Sequence, residues 1–254
     1  MKQQPSQWRG RPPDARRPRR VGHKGAAELA PGNTLAAFDA ALAMGVDMIE
    51  FDVLPEHPDG SGELLIAHDY SVLGSGVQPL TLEQALQHFA SGPFAQVELD
   101  VDLKLSGYSE RVLDALREAG LLERSLLSST FPAELDSVRR LAPEARIGWS
   151  VPRARRDYTA HPLTALPALA LLIGLRAWLP GRAHAALRTG RFDAIMAHWR
   201  LVSATLVRAV RRGGGELYVW TVDDARQIER LSAMGVDGII TNDPRLFLDV
   251  AVSV

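Results

Sequence analysis

Two hydrophobic periods take turns along this chain. Runs with strand-like apolar character lie at 20–23, 46–53, 97–105, 125–129, 146–151, 192–196, 216–221 and 238–241. Between them, apolar residues recur with helical spacing at 34–44, 81–90, 109–119, 133–141, 203–212 and 223–234. The region 151–191 is the least regular. Alternating strands and helices imply a parallel sheet. Eight such strands in 254 residues predict an α/β fold, a single (β/α)8 TIM barrel, with a short extra strand or loop after the second barrel strand. An open doubly wound sheet is the alternative, but no Gly-rich dinucleotide fingerprint follows the first strand. Asn33-Thr34 and Thr81 supply candidate N-caps, and Gly45, Gly120 and Gly235 each follow a helical run.

Several strands carry polar residues that an apolar sheet does not need. His23 follows Arg20-Val21-Gly22, and Glu50 and Asp52 sit inside Asp47-Met48-Ile49-Glu50-Phe51-Asp52-Val53. His68-Asp69 closes Glu63-Leu64-Leu65-Ile66-Ala67, and Asp102 and Lys104 end the run from Val97. Such groups are costly in a strand unless paired or bound to metal. Side chains alternate faces with period two. Glu50 and Asp52 therefore share one face, as do Glu98, Asp100, Asp102 and Lys104. In a barrel these faces point inward, and Asp52, Asp102 and Lys104 lie toward the carboxyl ends of their strands, where barrel active sites form.

Composition narrows the chemistry. The chain is 46% hydrophobic and 23% charged, a globular balance, and its net charge of -1 gives no sign of nucleic-acid binding. It contains no cysteine, so disulfides and thiolate metal sites are excluded. Oxygen ligands favour Mg²⁺ or Ca²⁺, with Mn²⁺ as a third option. Residues 1–20 are rich in Arg and Pro and lack the apolar core of a secretory signal. They read as a disordered basic tail, or as an arm touching anionic lipid, ahead of a barrel at 21–250. The expected location is cytoplasmic, with a membrane-peripheral one as the variant.

The motifs together resemble the glycerophosphodiester phosphodiesterase family. They are His23-Lys24-Gly25, Pro31-Gly32-Asn33-Thr34, Ile49-Glu50-Phe51-Asp52-Val53, Ala67-His68-Asp69, Asp102-Leu103-Lys104, Ser128-Ser129-Thr130-Phe131, Val219-Trp220-Thr221-Val222 and the stretch from Gly235 to Pro244. Order and spacing carry the resemblance from about Val21 to Leu248. Three features depart from the family pattern. Lys24 stands where Arg is usual, Gly32 stands where Glu is usual, and the segment 70–80 after His68 is short.

The resemblance implies metal-dependent hydrolysis of a glycerophosphodiester to an alcohol and glycerol 3-phosphate. Glu50, Asp52 and Asp102 would hold a divalent metal ion, with Asp100 as a deeper alternative to Asp102. His23 and His68 would move the protons as general base and acid, in either assignment. The nucleophile would be water or the neighbouring glycerol hydroxyl, the latter through a cyclic phosphate. Lys24 and Lys104 would hold the phosphate, and Trp220 would pack on the glycerol carbons. His57 reads as a turn residue, and His88, His161, His184 and His198 as structural or surface groups. The bland alternative is a set of salt bridges in the barrel mouth. The functional rivals are a lysophospholipase D-like enzyme acting on lysophospholipids and a catalytically silent barrel that binds phosphate headgroups.

Residues 163–180, LTALPALALLIGLRAWLP, are strongly apolar but interrupted by Pro167, Gly174 and Arg176. They fall between the fifth and sixth barrel strands and are flawed as a membrane span. A crossover with a buried helix is the expected structure. A flap at the barrel mouth that receives an acyl chain or makes a peripheral membrane contact is the alternative, with Arg153, Arg155 and Arg156 just upstream.

Overall fold

The computed structural model describes residues 17–73, 78–153 and 162–251. Its first elements are β1 (Arg19–Gly22), α1 (Leu35–Ala43), β2 (Met48–Pro55), β3 (Leu64–Ile66) and α2 (Leu82–Phe89). They are followed by β4 (Glu98–Leu103), α3 (Ser109–Glu118), β5 (Ser125–Ser129), α4 (Pro132–Leu141), β6 (Arg146–Val151) and α5 (Pro162–Arg188). The chain closes with β7 (Ala194–His198), α6 (Ala204–Gly213), β8 (Glu216–Trp220), α7 (Ala225–Met234), β9 (Gly238–Thr241) and α8 (Leu246–Ala251). Eight strands pair in parallel in the order β1-β2-β4-β5-β6-β7-β8-β9, and β9 pairs back onto β1. The sheet is thus a closed (β/α)8 barrel, not an open doubly wound sheet. The extra strand, β3, lies outside the ring and runs antiparallel to the end of β2. Its chain then turns to place His68 at the mouth.

Local signals set the helix starts. Thr34 caps α1 by accepting from Ala37 N–H. Thr81 and Gln84 close a capping box on α2. Residues 1–16 of the expected basic tail, together with Arg155, Arg156 and His161, lie outside the described residues. Arg17 forms an ion pair with Asp47, and Arg19 already belongs to β1.

The barrel interior is layered. At the amino ends of the strands, Arg19 reaches Glu216 at 2.8 Å and Glu98 at 3.3 Å. Arg146 reaches Glu98 at 2.9 Å and Glu216 at 3.3 Å. The Tyr218 hydroxyl donates to Glu216 Oε2 at 3.1 Å. Above this charged floor lies an apolar plug of Val21, Met48, Leu126, Ala194, Met196, Tyr218 and Ile240. Gly238 makes room for it, because a Cβ there would lie 2.2 Å from the Tyr218 ring. The carboxylates of β2 and β4 form the third layer, at the mouth. Outside the ring, Phe38, Phe51, Phe89 and Phe94 pack with neighbouring ring centroids 4.8–5.9 Å apart, which fastens α1 and α2 to β2.

The crossover between β6 and β7 corrects one expectation. It is a single 27-residue helix, α5, but it is not buried along its length. Leu179, Ala183 and Leu187 are buried, whereas Leu171, Ile173 and Trp178 are exposed. Leu172, Leu175, Leu179, Ala183 and Leu187 pack inward along one side of α5, and Leu171, Ile173 and Trp178 stand off that side. No helix among the described residues is long and apolar enough to cross a membrane.

The charged floor yields a stability prediction. Arg146→Ala leaves Glu98 and Glu216 without one of their two arginine partners inside the barrel. Losing one partner of a buried ion pair costs about 3–5 kcal/mol. Chemical denaturation followed by circular dichroism should show a loss in that range, and a loss below about 1 kcal/mol would mean that the floor tolerates the unpaired carboxylates.

Candidate active site

The acids come together because of strand register. β2 and β4 pair Glu50 with Asp100 and Asp52 with Asp102. One oxygen from each of Glu50, Asp52 and Asp102 lies within 4.8 Å of the others. Asp100 sits one step deeper and is almost fully buried. Lys104 reaches back into this group: its Nζ donates to Asp102 Oδ2 at 2.5 Å and also contacts Asp52 Oδ1. Lys24 Nζ lies 3.4 Å from Asp52 Oδ2. Lys24 and Lys104 are therefore both brought to the acids.

The electrostatics follow from burial and crowding. Desolvation followed by the Asp52 charge pushes the Glu50 carboxyl well above its usual range. Burial pushes Asp100 up to about 7, against the pull of a Ser128 hydrogen bond. Asp102 is raised by burial, although Lys104 opposes that. Burial would raise Asp52 as well, but Lys104 and Lys24 outweigh it and hold that carboxyl low. Burial alone would lower Lys104, yet Asp102, Asp52 and Glu50 keep its ammonium well above its ordinary value.

The loops after β1 and β9 hold the first histidine. His23 Nδ1 lies 2.6 Å from Asn242 Oδ1. The Asn242 amide is oriented by Asp223, which accepts from Asn242 Nδ2 at 2.7 Å and from Asn242 N–H at 2.8 Å. With its oxygen so assigned, Asn242 accepts a hydrogen bond from His23 Nδ1–H, which leaves Nε2 unprotonated and 3.8 Å from Glu50 Oε2. Burial lowers the His23 ring to about 4. Glu50 Oε2 in turn accepts from Lys24 N–H at 2.8 Å. The loop turns sharply here. Gly22 lies against Gly25, where a Cβ would come within 2.2 Å of Gly25 O. Lys24 and Asn33 both adopt left-handed backbone, with φ of 52° and 61°. Asn33 uses that turn to grip Asp52, donating from Nδ2 to Oδ2 at 2.8 Å and accepting Asp52 N–H at 3.2 Å.

His68 also lines the mouth, half exposed, with Nδ1 3.1 Å from Asp69 Oδ2. Asp69 is held by Ser71, whose hydroxyl and N–H both donate to Oδ1, and its carboxyl is lowered to about 2 by those bonds and by His68. Trp220 lines the mouth and donates from its indole N–H to Met196 O at 2.8 Å. A cavity of about 250 Å³ joins these groups, with His23, Glu50, His68, Asp102, Lys104 and Trp220 on its wall.

The remaining histidines divide as their settings suggest. His57 shapes a turn, with Gly60 N–H donating to its carbonyl at 3.0 Å. His88 pairs with Asp39 at 2.8 Å, and His184 Nδ1 lies 3.3 Å from Ala209 O. His198, at the carboxyl end of β7, stands edge-on to Trp220 with ring centroids 5.2 Å apart. The departures at Lys24 and Gly32 touch: a Cβ on residue 32 would lie 3.0 Å from Lys24 Cβ.

Three residues of the site carry no role in the motif reading: Asn33, Asn242 and Asp223. A signal exists for two of them. Thr34 caps α1 and Asp224 caps α7, so Asn33 and Asp223, the polar residues just before each cap, are superfluous as caps. Each faces the site instead.

With the geometry in place, sequence comparison decides the lineage. The profile of the glycerophosphoryl diester phosphodiesterase family matches residues 23–72 and 80–246. The chain belongs to that family. Among its relatives is a glycerophosphodiester phosphodiesterase from Caldanaerobacter subterraneus subsp. tengcongensis, 27% identical over 91% of this chain and 96% of the relative. The fold is shared with a glycerophosphodiester phosphodiesterase from Parabacteroides distasonis, with a TM-score of 0.70, 20% identity and coverage of 93% of this chain and 98% of the other. It is also shared with an Oleispira antarctica phosphodiesterase solved in complex with its product sn-glycerol-3-phosphate, with a TM-score of 0.65, 20% identity and coverage of 94% and 98%. His23, Lys24, Asn33, Glu50, Asp52, His68, Asp102, Lys104, Trp220, Asp223 and Asn242 all fall within the matched segments.

The His23–Asn242 bond makes a prediction that needs no substrate. In the native protein the two His23 ring nitrogens should give one pyrrole-like and one pyridine-like 15N shift. Asn242→Ala removes the acceptor for Nδ1–H, so the two shifts should move toward each other as both tautomers populate. Unchanged shifts in that variant would show that Asn242 does not select the tautomer.

Proposed function

We propose that this chain is a phosphoric diester hydrolase that cleaves glycerophosphodiesters to an alcohol and glycerol 3-phosphate. The observation that carries this reading is the wall of one cavity, where two histidines from different loops stand with Glu50, Asp102 and Lys104, while Asp52 completes the acid cluster as a buried residue. Family membership supports the same reaction class.

Glu50, Asp52 and Asp102 fit a divalent metal ion. They offer three hard oxygens in one place, and Asp102 Oδ1 is buried with no hydrogen-bond partner among the described residues. Carboxylate oxygens favour Mg²⁺, Ca²⁺ or Mn²⁺. Such an ion, when bound, polarises phosphoryl oxygens and neutralises part of their charge. The protein's own groups do the rest. Lys104 and Lys24 supply positive charge beside the acids and draw the phosphate anion to the mouth. His23, neutral with a bare Nε2, takes the proton from the attacking oxygen of water or of the glycerol hydroxyl. That oxygen bonds to phosphorus, the bond to the leaving alkoxide breaks, and His68 donates a proton to that alkoxide. Where the glycerol hydroxyl attacks, the product is a cyclic phosphate, and water then adds to phosphorus as the ring P–O bond breaks, giving glycerol 3-phosphate. Asp69 engages His68 Nδ1, which leaves Nε2 to meet the leaving oxygen. Trp220 gives the glycerol carbons an apolar surface.

A lysophospholipase D-like activity on lysophospholipids is the second reading. One observation favours it: the crossover that begins at Pro152, on the cavity wall, continues into a helix with exposed Leu171 and Ile173.

The tests are direct. Purified protein with Mg²⁺, Ca²⁺ or Mn²⁺ should release glycerol 3-phosphate from glycerophosphocholine, and EDTA should abolish the release. Turnover with none of the three ions, on diesters or lysophospholipids, would leave a silent headgroup-binding barrel. His23→Ala and His68→Ala should each cut kcat by about 10²–10⁴-fold while thermal unfolding stays unchanged. A variant that keeps its activity would remove that histidine from the proton path. Comparing kcat/KM on glycerophosphocholine and lysophosphatidylcholine separates the two substrate readings.

A further inference from the structure

Resting on the second, lysophospholipid reading of the site, we propose that the outward flank of α5 from Leu171 to Arg188, with the exposed side of the neighbouring α6, is a docking face for an anionic lipid surface. Arg176 ties α5 to the barrel rim by donating to Val202 O at 3.2 Å, just before α6 begins. Residues 162–175 precede that anchor, and at 1.5 Å per residue they form about 20 Å of helix. This length starts from the crossover that leaves the cavity wall at Pro152.

Three large apolar side chains near the anchor are exposed, while Leu172, Leu175 and Leu179 pack inward. Leu171 is 63% exposed, Ile173 60% and Trp178 44%. Exposed large hydrophobics elsewhere among the described residues are scattered singly, whereas these three lie within eight residues of one helix. Trp178 carries the Arg182 guanidinium over its ring at 4.9 Å. An aromatic ring beside a cation suits the boundary between acyl chains and headgroups, where tryptophan has an apolar body and a wet edge.

Charge commits the face to one occupant. The sequences of α5 and α6 contain no Asp or Glu, while Arg182, Arg188, Arg208 and Arg212 are exposed on them. The whole chain carries a net charge of -1, so this basic face is a local asymmetry. Exposed apolar residues combined with arginines and no acids match an interfacial helix on anionic lipid. The long apolar helix does not need to cross the bilayer to do this, and no described helix is able to.

The experiment is co-sedimentation of the full chain with vesicles of phosphatidylcholine alone and of phosphatidylcholine with about 30% phosphatidylglycerol. The protein should pellet with the anionic vesicles, at least about tenfold less with the neutral ones, and should be released by high salt. Leu171→Ser/Ile173→Ser/Trp178→Ser and, separately, Arg182→Gln/Arg208→Gln/Arg212→Gln should each weaken binding about tenfold while turnover of soluble glycerophosphocholine is unchanged. Native protein that stays in the supernatant overturns the proposal, as do variants that bind like the native chain. A dimer in sedimentation velocity that the triple-serine variant dissociates, without vesicle binding, would assign the face to a second copy instead. The binding readout needs no catalysis, so vesicle binding without lysolipid turnover would reject the substrate reading and keep the docking face.

Discussion

The ammonium of Lys104 is the counter-ion around which the mouth of this barrel is built. Parallel register between β2 and β4 forces Glu50, Asp52, Asp100 and Asp102 into one small interior. Each is costly there as an anion, because desolvation acts on all four and like charges face each other. Lys104 leaves the end of β4 and turns back among them, touching Asp52 and Asp102. Lys24 adds a second cation from the opposite loop. The balance still leaves more acid than base, with four carboxylates facing two ammonium groups. Burial first, and the neighbouring carboxylates after it, push Glu50 and Asp100 above the usual carboxylate range.

That charge is confined to the mouth by what lies beneath it. The apolar plug around Met48, Met196 and Tyr218 separates the acids from a second ionic layer formed by Arg19, Glu98, Arg146 and Glu216. The two layers do opposite jobs. The floor balances two arginines against two glutamates and closes the barrel. The mouth is left unbalanced and open to solvent through His68 and the cavity. Barrel interiors keep sites at the carboxyl ends of the strands for this reason: the loops there can be rebuilt without disturbing the pairing below.

The loops show how much of the site is positional. Asn33 and Lys24 accept left-handed backbone, and each then offers a polar group to an acid, Asn33 to Asp52 and Lys24 N–H to Glu50. Asp223 orients Asn242, which selects the His23 tautomer. None of these partners is a neighbour in sequence. Asn33 and Asn242 are visible in the chain only as parts of turn and motif phrases, and Asp223 only as one of two adjacent aspartates. The α5 crossover is a different kind of case. From Leu163 to Leu175 its sequence holds no charged residue and is interrupted by Pro167, so no helical period marks it. In the fold it packs against α6 and leaves Leu171, Ile173 and Trp178 exposed.

The alternation of strand and helix periods, the parity of the acids and the order of the motifs are local properties of the chain, and these alone determined the barrel class, the inward face of Glu50, Asp52, Asp102 and Lys104, and the family. They are legible because a period of two or of 3.6 is written into consecutive residues. Tertiary structure decided what depends on distance across the fold. It closed β9 onto β1, set Asp52 opposite Asp102, folded Lys104 back onto both, brought Asn242 to His23 across 219 residues and left Leu171, Ile173 and Trp178 uncovered. Those outcomes rest on register, loop path and helix packing, and none of these is a property of neighbouring residues.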